Sequence, residues 1–153
     1  MDNEKSSDIL NTLIQINNDR IEGYDRASNE TDDADLKSLF SDLIETSEKC
    51  RAELTEEVER LGGTPIEGTK TSGKFYRAWM DLKAAVTDND RKAILNSCEY
   101  GEDVAVDTYE KAMNDDDDDL GIEQRSLIET QYVLIKADHD KIKSLRDNLV
   151  EHA

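Results

Sequence analysis

At 153 residues the chain has the length of one ordinary domain, enough to bury a core without help from metals or disulfides. Its formal net charge of −18, from 37 acidic and 19 basic residues, repels nucleic-acid backbones and anionic membranes, so neither is an expected partner. No run of about 18 apolar residues occurs, so no transmembrane helix is expected.

The spacing of apolar residues predicts a first helix over about residues 8–28, capped by Ser6 or Ser7. Leu10, Leu13, Ile14, Ile21 and Tyr24 share one face at 3.6 residues per turn, with Asn17 in the middle of the stripe. A polar turn, residues 29–33, follows, with Thr31 or Asp32 as the next cap. The second helix, about 34–61, has the most regular stripe: Leu36, Phe40, Leu43, Ser47, Cys50, Leu54 and Leu61 in steps of three and four, with Val58 filling in beside Glu57. That is the seam of a left-handed packed bundle. Gly62 and Gly63 end it, and Pro65 prevents its continuation.

A Gly/Thr-rich link, residues 62–73, leads to a short amphipathic helix over about 74–86, carrying Phe75, Ala78, Trp79, Leu82, Ala85 and Val86. Residues 87–90 break the chain and recap it. The third long helix, about 91–113, presents small residues inward: Ile94, Ser97, Gly101, Val104, Ala105, Thr108 and Ala112. After an acidic loop comes the fourth, about 122–150, with Leu127, Gln131, Leu134, Ile135, Asp138, Ile142, Leu145 and Leu149 inward. The first and last pairs of long helices have short connections and are expected to be antiparallel. The middle connection is long, about 25 residues with its own helix, and one long crossover is the ferritin-like arrangement of an all-α, antiparallel four-helix bundle.

The composition agrees with this reading. A hydrophobic fraction of 36% and a charged fraction of 37% suit long helices with narrow apolar stripes. Disorder is the competing reading of such a composition, and the periodicity argues against it. The polar N-terminal segment is unlike a secretory signal, so a cytoplasmic location is expected. Cys50 and Cys98 lie within helical patterns, without a Cys-x-x-Cys or Cys/His companion, and read as reduced structural thiols.

Several segments resemble a known family. They are residues 18–24 with Ala27, 61–65, 75–83, 98–103 with Tyr109, and 139–142. Together they resemble an uncharacterised bacterial family of ferritin-like four-helix-bundle proteins, a domain of unknown function, over roughly residues 7–148. The resemblance implies a bacterial source and a loose link to stress or storage roles. It implies no catalytic residues. Two positions depart from the family pattern: Arg20, where a small residue is expected, and Cys50, where an aromatic residue or His is expected.

A ferritin-type dimetal centre needs four carboxylates and two imidazoles pointing inward, usually with Glu-x-x-His pairs on two helices. The chain contains no Glu-x-x-His, and its only histidines are His139 and His152. Glu99 and Glu102 lie off the small-residue stripe, Glu45 and Glu48 flank the stripe of the second helix, and Glu22 lies opposite the core face of the first. The expectation is therefore no cofactor. Glu99, Glu102 and His139 are the weak candidates for a degenerate site holding iron or another divalent metal.

What points inward instead is neutral and polar. Asn17, Ser47 and Gln131 fall near one level and are expected to form a hydrogen-bonded, structural cluster. One layer along, Tyr24, Ser97 and Asp138 are placed to meet, with the Tyr24 hydroxyl as donor to a buried Asp138. The Asp115–Asp119 run fails as an EF-hand, since Leu120 and Ser126 stand where Gly and Glu are needed. It reads as a charged loop, with weak cation binding as the alternative. Phe75, Tyr76 and Trp79 either lid one end of the bundle or form a partner or dimer surface. No phosphate loop or Gly-x-Ser-x-Gly is present. The sequence thus favours a non-catalytic bundle acting by protein interaction or self-association over a metal-binding or oxidase bundle.

Overall fold

The computed structural model describes residues 3–68, 74–114 and 120–151, with the side chains of residues 74, 75 and 149–151 outside the description. The described chain is all-helical: α1 (Asn3–Glu30), α2 (Ala34–Arg60), α3 (Lys74–Thr87), α4 (Arg91–Met113) and α5 (Ile122–Glu151). The helices pack as a bundle, α1 along α2 and α4 along α5, while the short α3 lies against α4 and α1. The Asp115–Asp119 run, Phe75 and His152 lie outside the described side chains.

Helix ends follow local chemistry. The cap of α2 is Asp33, not Thr31 or Asp32: its Oδ1 accepts from the backbone N–H groups of Asp35 at 2.9 Å and Leu36 at 3.2 Å. Thr31 instead accepts from Asp33 N at 3.2 Å. At the other end Gly62 turns left-handed at φ 84°, and Gly62 N and Gly63 N bond back to Glu59 O and Val58 O at 3.0 and 2.9 Å. That pairing satisfies carbonyls the helix would leave open. Asn89, at φ 54°, ends α3 the same way, and the next residue, Asp90, caps α4 through Ala93 N at 3.1 Å.

The first helix begins earlier than its serines suggest. Ser6 and Ser7 lie inside α1 and are buried. The chain leaving α2 covers Ser7: a Cβ added at Gly63 would come within 2.6 Å of Ser7 Oγ. From there the crossover is strapped along α1 by side-chain amides. Asn11 donates to Thr64 O at 3.1 Å and accepts from Ile66 N at 2.8 Å, and Gln15 and Asn18 donate to Gly68 O at 3.1 and 2.9 Å.

The inward face of α4 is wider than the small-residue stripe. Leu95, Cys98, Glu102, Val106 and Tyr109 are buried with Ile94, Gly101, Ala105 and Ala112. Glu102 and Tyr109 turn toward α1 and α5, while the short α3 covers another side of α4, where Ala78, Trp79 and Leu82 lie over Ser97, Cys98 and Gly101. On α5, Gln124, Ile128, Gln131, Ile135 and Ile142 face the core, whereas Leu127 is only half-buried and Leu145 is exposed.

The buried apolar residues form two clusters. One gathers Leu10, Leu13, Ile14, Leu54, Val58, Tyr109, Ile128 and Ile135. The other gathers Phe40, Leu43, Leu82, Ile94, Leu95 and Ile142 with Tyr24, whose ring stacks on Phe40 at 5.8 Å between centroids. Between them runs a layer of buried polar side chains.

Candidate functional site

The polar layer is centred on Arg20. Its side chain is fully buried, at 0% exposure, and so is Glu102 opposite it. Arg20 Nε and NH2 donate to the two carboxylate oxygens of Glu102 at 2.9 and 2.6 Å, a two-point pairing that the planar guanidinium is shaped for. NH2 also donates to Asp138 Oδ2 at 3.1 Å, and NH1 to Ser47 Oγ at 2.5 Å. Tyr24 donates to Glu102 Oε2 at 2.8 Å. One residue from each of α1, α2, α4 and α5 thus meets at the guanidinium.

The electrostatics are those of a closed ion pair. Burial is the largest influence and works against the charge on Arg20, but Glu102, Tyr24 and Asp138 together outweigh it, and the Arg20 pKa lies above its ordinary value. Burial raises the Asp138 carboxyl above its usual range, and the neighbouring Glu102 adds to this, while Arg20 opposes it. Burial likewise pushes the Tyr24 hydroxyl well up.

A second network lies one turn away along α1. Asn17 donates to Leu13 O and to the Tyr109 hydroxyl, both at 2.9 Å. Tyr109 donates on to Gln131 Oε1 at 2.8 Å. Gln131 Nε2 in turn donates to Cys50 O at 3.2 Å and Glu53 Oε1 at 3.1 Å. Asn17 Oδ1 is buried without a partner among the described atoms.

The residues expected to cluster are therefore divided between the two networks. Asn17 and Gln131 are joined only through Tyr109, while Ser47 belongs to the Arg20 group. Tyr24 and Asp138 are both present at the centre but do not bond to each other: Tyr24 serves Glu102 and Asp138 takes its hydrogen bond from Arg20. Ser97 stays half-buried at the small gap under Trp79. Glu102, placed off the core by the small-residue stripe, is fully inside it. Sequence reasoning missed Arg20, Tyr109 and the inward position of Glu102. The signal was in the spacing. Leu10, Leu13, Asn17, Arg20, Tyr24 and Ala27 step by three and four, as do Leu95, Cys98, Glu102, Ala105, Tyr109 and Ala112. A charge of each sign sits on a seam.

The aromatic residues of α3 are fixed from one side. Trp79 is half-buried over Gly23, where an added Cβ would meet its Cδ1 at 2.8 Å. Its ring is flanked by Tyr76 at 5.8 Å, the Arg26 guanidinium at 5.2 Å and Lys83 Nζ at 5.9 Å.

The model of a domain of unknown function, DUF2383, matches residues 5–115, from the first turn of α1 to just past the end of α4. The chain belongs to this family. No curated protein matches it.

In this DUF2383 protein the residues at mid-bundle do not fit a metal centre. The two carboxylates there, Glu102 and Asp138, are both bound by the guanidinium, which fills the space between the four long helices. The His139 imidazole turns instead to Asp103 and Asp140, and His152 lies outside the described residues. Nor are the thiols reactive groups. Burial pushes the Cys50 thiol up to about 11, and burial with the nearby Glu102 pushes Cys98 higher still. Both thiols are expected to resist a thiol-labelling reagent at pH 8 until the protein is unfolded, when both label within seconds. Rapid native labelling, followed by absorbance, would contradict this burial.

Along the described helices none is long and apolar enough to cross a membrane.

Proposed function

We propose that this chain is a ferritin-like, antiparallel four-helix bundle of bacterial origin. It works without catalysis in the cytoplasm, through protein interaction and foremost through self-association, in a stress-associated role. The observation that carries this reading is the filled centre. A buried arginine engages the carboxylates and the serine at mid-bundle, so the polar groups that would meet a substrate or cofactor there already have partners. What is left to act is the surface.

Two apolar side chains stand out on α5. Ile122 is 88% exposed and Val133 65%, and their spacing puts them on one side of the helix, three turns apart. Isolated exposed apolar residues are ordinary, but these two share one face of α5, with exposed Ser126 and Glu129 between them, and we take that face as the contact strip. The aromatic surface on α3, formed by Tyr76 and Trp79, is a second contact region; Phe75, which the sequence adds to it, lies outside the described side chains.

The alternative reading is a ferritin-like metal-binding or oxidase protein with a degenerate carboxylate/His site. It asks for iron or another divalent ion at mid-bundle, where Arg20 already neutralises the carboxylates.

Two copies carrying −18 each repel, so association strengthens as salt screens the charge, over about 8 Å at 0.15 M. Sedimentation velocity is expected to show a mass that rises with protein concentration and with salt. Ile122→Glu combined with Val133→Glu should return it to the monomer. A monomeric mass across concentrations up to about 1 mM, at both low and high salt, overturns self-association.

A further inference from the structure

We infer that Glu99, Asp103 and His139 form a binding site for a divalent transition-metal ion of the Zn(II) type, at the surface between α4 and α5 and away from the Arg20 layer. One ligand atom from each lies within 4.8 Å of the others. Glu99 and Asp103 stand four residues apart on α4 and so share a face, and His139 reaches them from α5. All three are mounted on helices rather than loops, which holds the set in place.

The histidine carries the argument. Its ring is nine-tenths buried, and its two nitrogens face different carboxylates. Nδ1 lies 3.1 Å from Asp140 Oδ1, and Nε2 lies 2.5 Å from Asp103 Oδ1. An imidazole that binds a metal through one nitrogen characteristically gives the N–H of the other to a carboxylate, which fixes the ring and makes it a better donor. Asp140 is that carboxylate here, and Lys136 steadies it at 3.2 Å. Nε2 is then the nitrogen turned toward Asp103 and Glu99.

One imidazole with two carboxylates is a ligand set that zinc accepts, with metal–ligand distances of about 2.0–2.2 Å and an open position for water. Binding requires the direct His139–Asp103 contact to open so that the ion enters between Nε2 and Oδ1 while Glu99 draws in, and the exposed flank at Asp103 provides the entry path. Arg146 is the competitor. It bonds to Glu99 in the ion-free protein but also donates to Asp147 Oδ1 at 3.1 Å, so it keeps a carboxylate when Glu99 turns to the ion. Nothing in this site depends on the contact strip of α5, so hydrodynamic failure of self-association leaves it standing.

The test is calorimetric titration of Zn(II) into metal-free full-length protein, with Co(II) absorption as a second readout of ligand geometry. One saturable site per chain is expected. His139→Gln and Asp103→Asn should each weaken it by at least about tenfold and abolish the Co(II) spectrum. Arg146→Ala should tighten it. His152→Gln, which removes the only other histidine, should leave it unchanged. Circular dichroism checks that each variant folds. Should His139→Gln fail that check, Asp103→Asn, on the protein surface, carries the test alone. Weak, unsaturable uptake by the acidic surface overturns the assignment. So does binding that survives both ligand variants, and so does binding lost with His152→Gln.

Discussion

Replacing Arg20 with alanine is expected to destabilise the protein by about 3–5 kcal/mol, the usual cost of removing one partner from a buried ion pair. The loss is not the value of the pair itself. Once the guanidinium is gone, Glu102 remains fully buried with only the Tyr24 hydroxyl as donor, and Asp138, 16% exposed, loses its cation. Ser47 loses its partner too. Removing both charges should be milder: Arg20→Met with Glu102→Met keeps volume and leaves no unpaired charge at that pair. A double-mutant cycle by urea unfolding checks this, with coupling of about 1.5–3 kcal/mol expected between the two positions. Additive losses would mean that the two side chains do not act as a unit.

Tyr109→Phe is expected to cost about 2 kcal/mol, although it removes a single oxygen. That hydroxyl takes a hydrogen bond from Asn17 and gives one to Gln131, so its loss strips a partner from two buried amides at once. Asn17→Leu should cost less than Tyr109→Phe. It removes one donor to Tyr109, but it also removes the buried Asn17 Oδ1 that has no partner. Thermal unfolding of the two variants side by side decides the order. The reverse order would place the weight of this network on Asn17 rather than on the tyrosine.

Most helix boundaries were legible because punctuation and periodicity agree. Gly62 with Gly63, the Asp90 cap and the α2 seam each state a local preference that nothing in the tertiary structure opposes. The start of α1 was not legible, because Ser6 and Ser7 have the chemistry of caps. Ser7 instead lies buried within the helix under the chain leaving α2, which packs Gly63 against it.

The candidate site was legible only in part. Asn17, Ser47, Gln131, Tyr24 and Asp138 fall on seams, so their inward positions follow from spacing. Which of them touch depends on how far one helix slides along another, and a slide of a single turn moves Ser47 from Asn17 to Arg20. Charge also misleads. A lone Arg or Glu in a helical pattern normally faces solvent, and both Arg20 and Glu102 become tolerable inside only when each supplies the other's neutralisation.

By itself the sequence determined the order of the helices and most of their ends, the net acidic charge and the absence of a Glu-x-x-His pair, since these rest on composition and on residues a few positions apart. Only the tertiary structure decided that a guanidinium closes the centre, that α3 buries a second side of α4, and that Glu99 leaves Glu102 to join Asp103 and His139. Each of these depends on contacts between residues far apart in the chain, and such contacts are set by packing rather than by local preference.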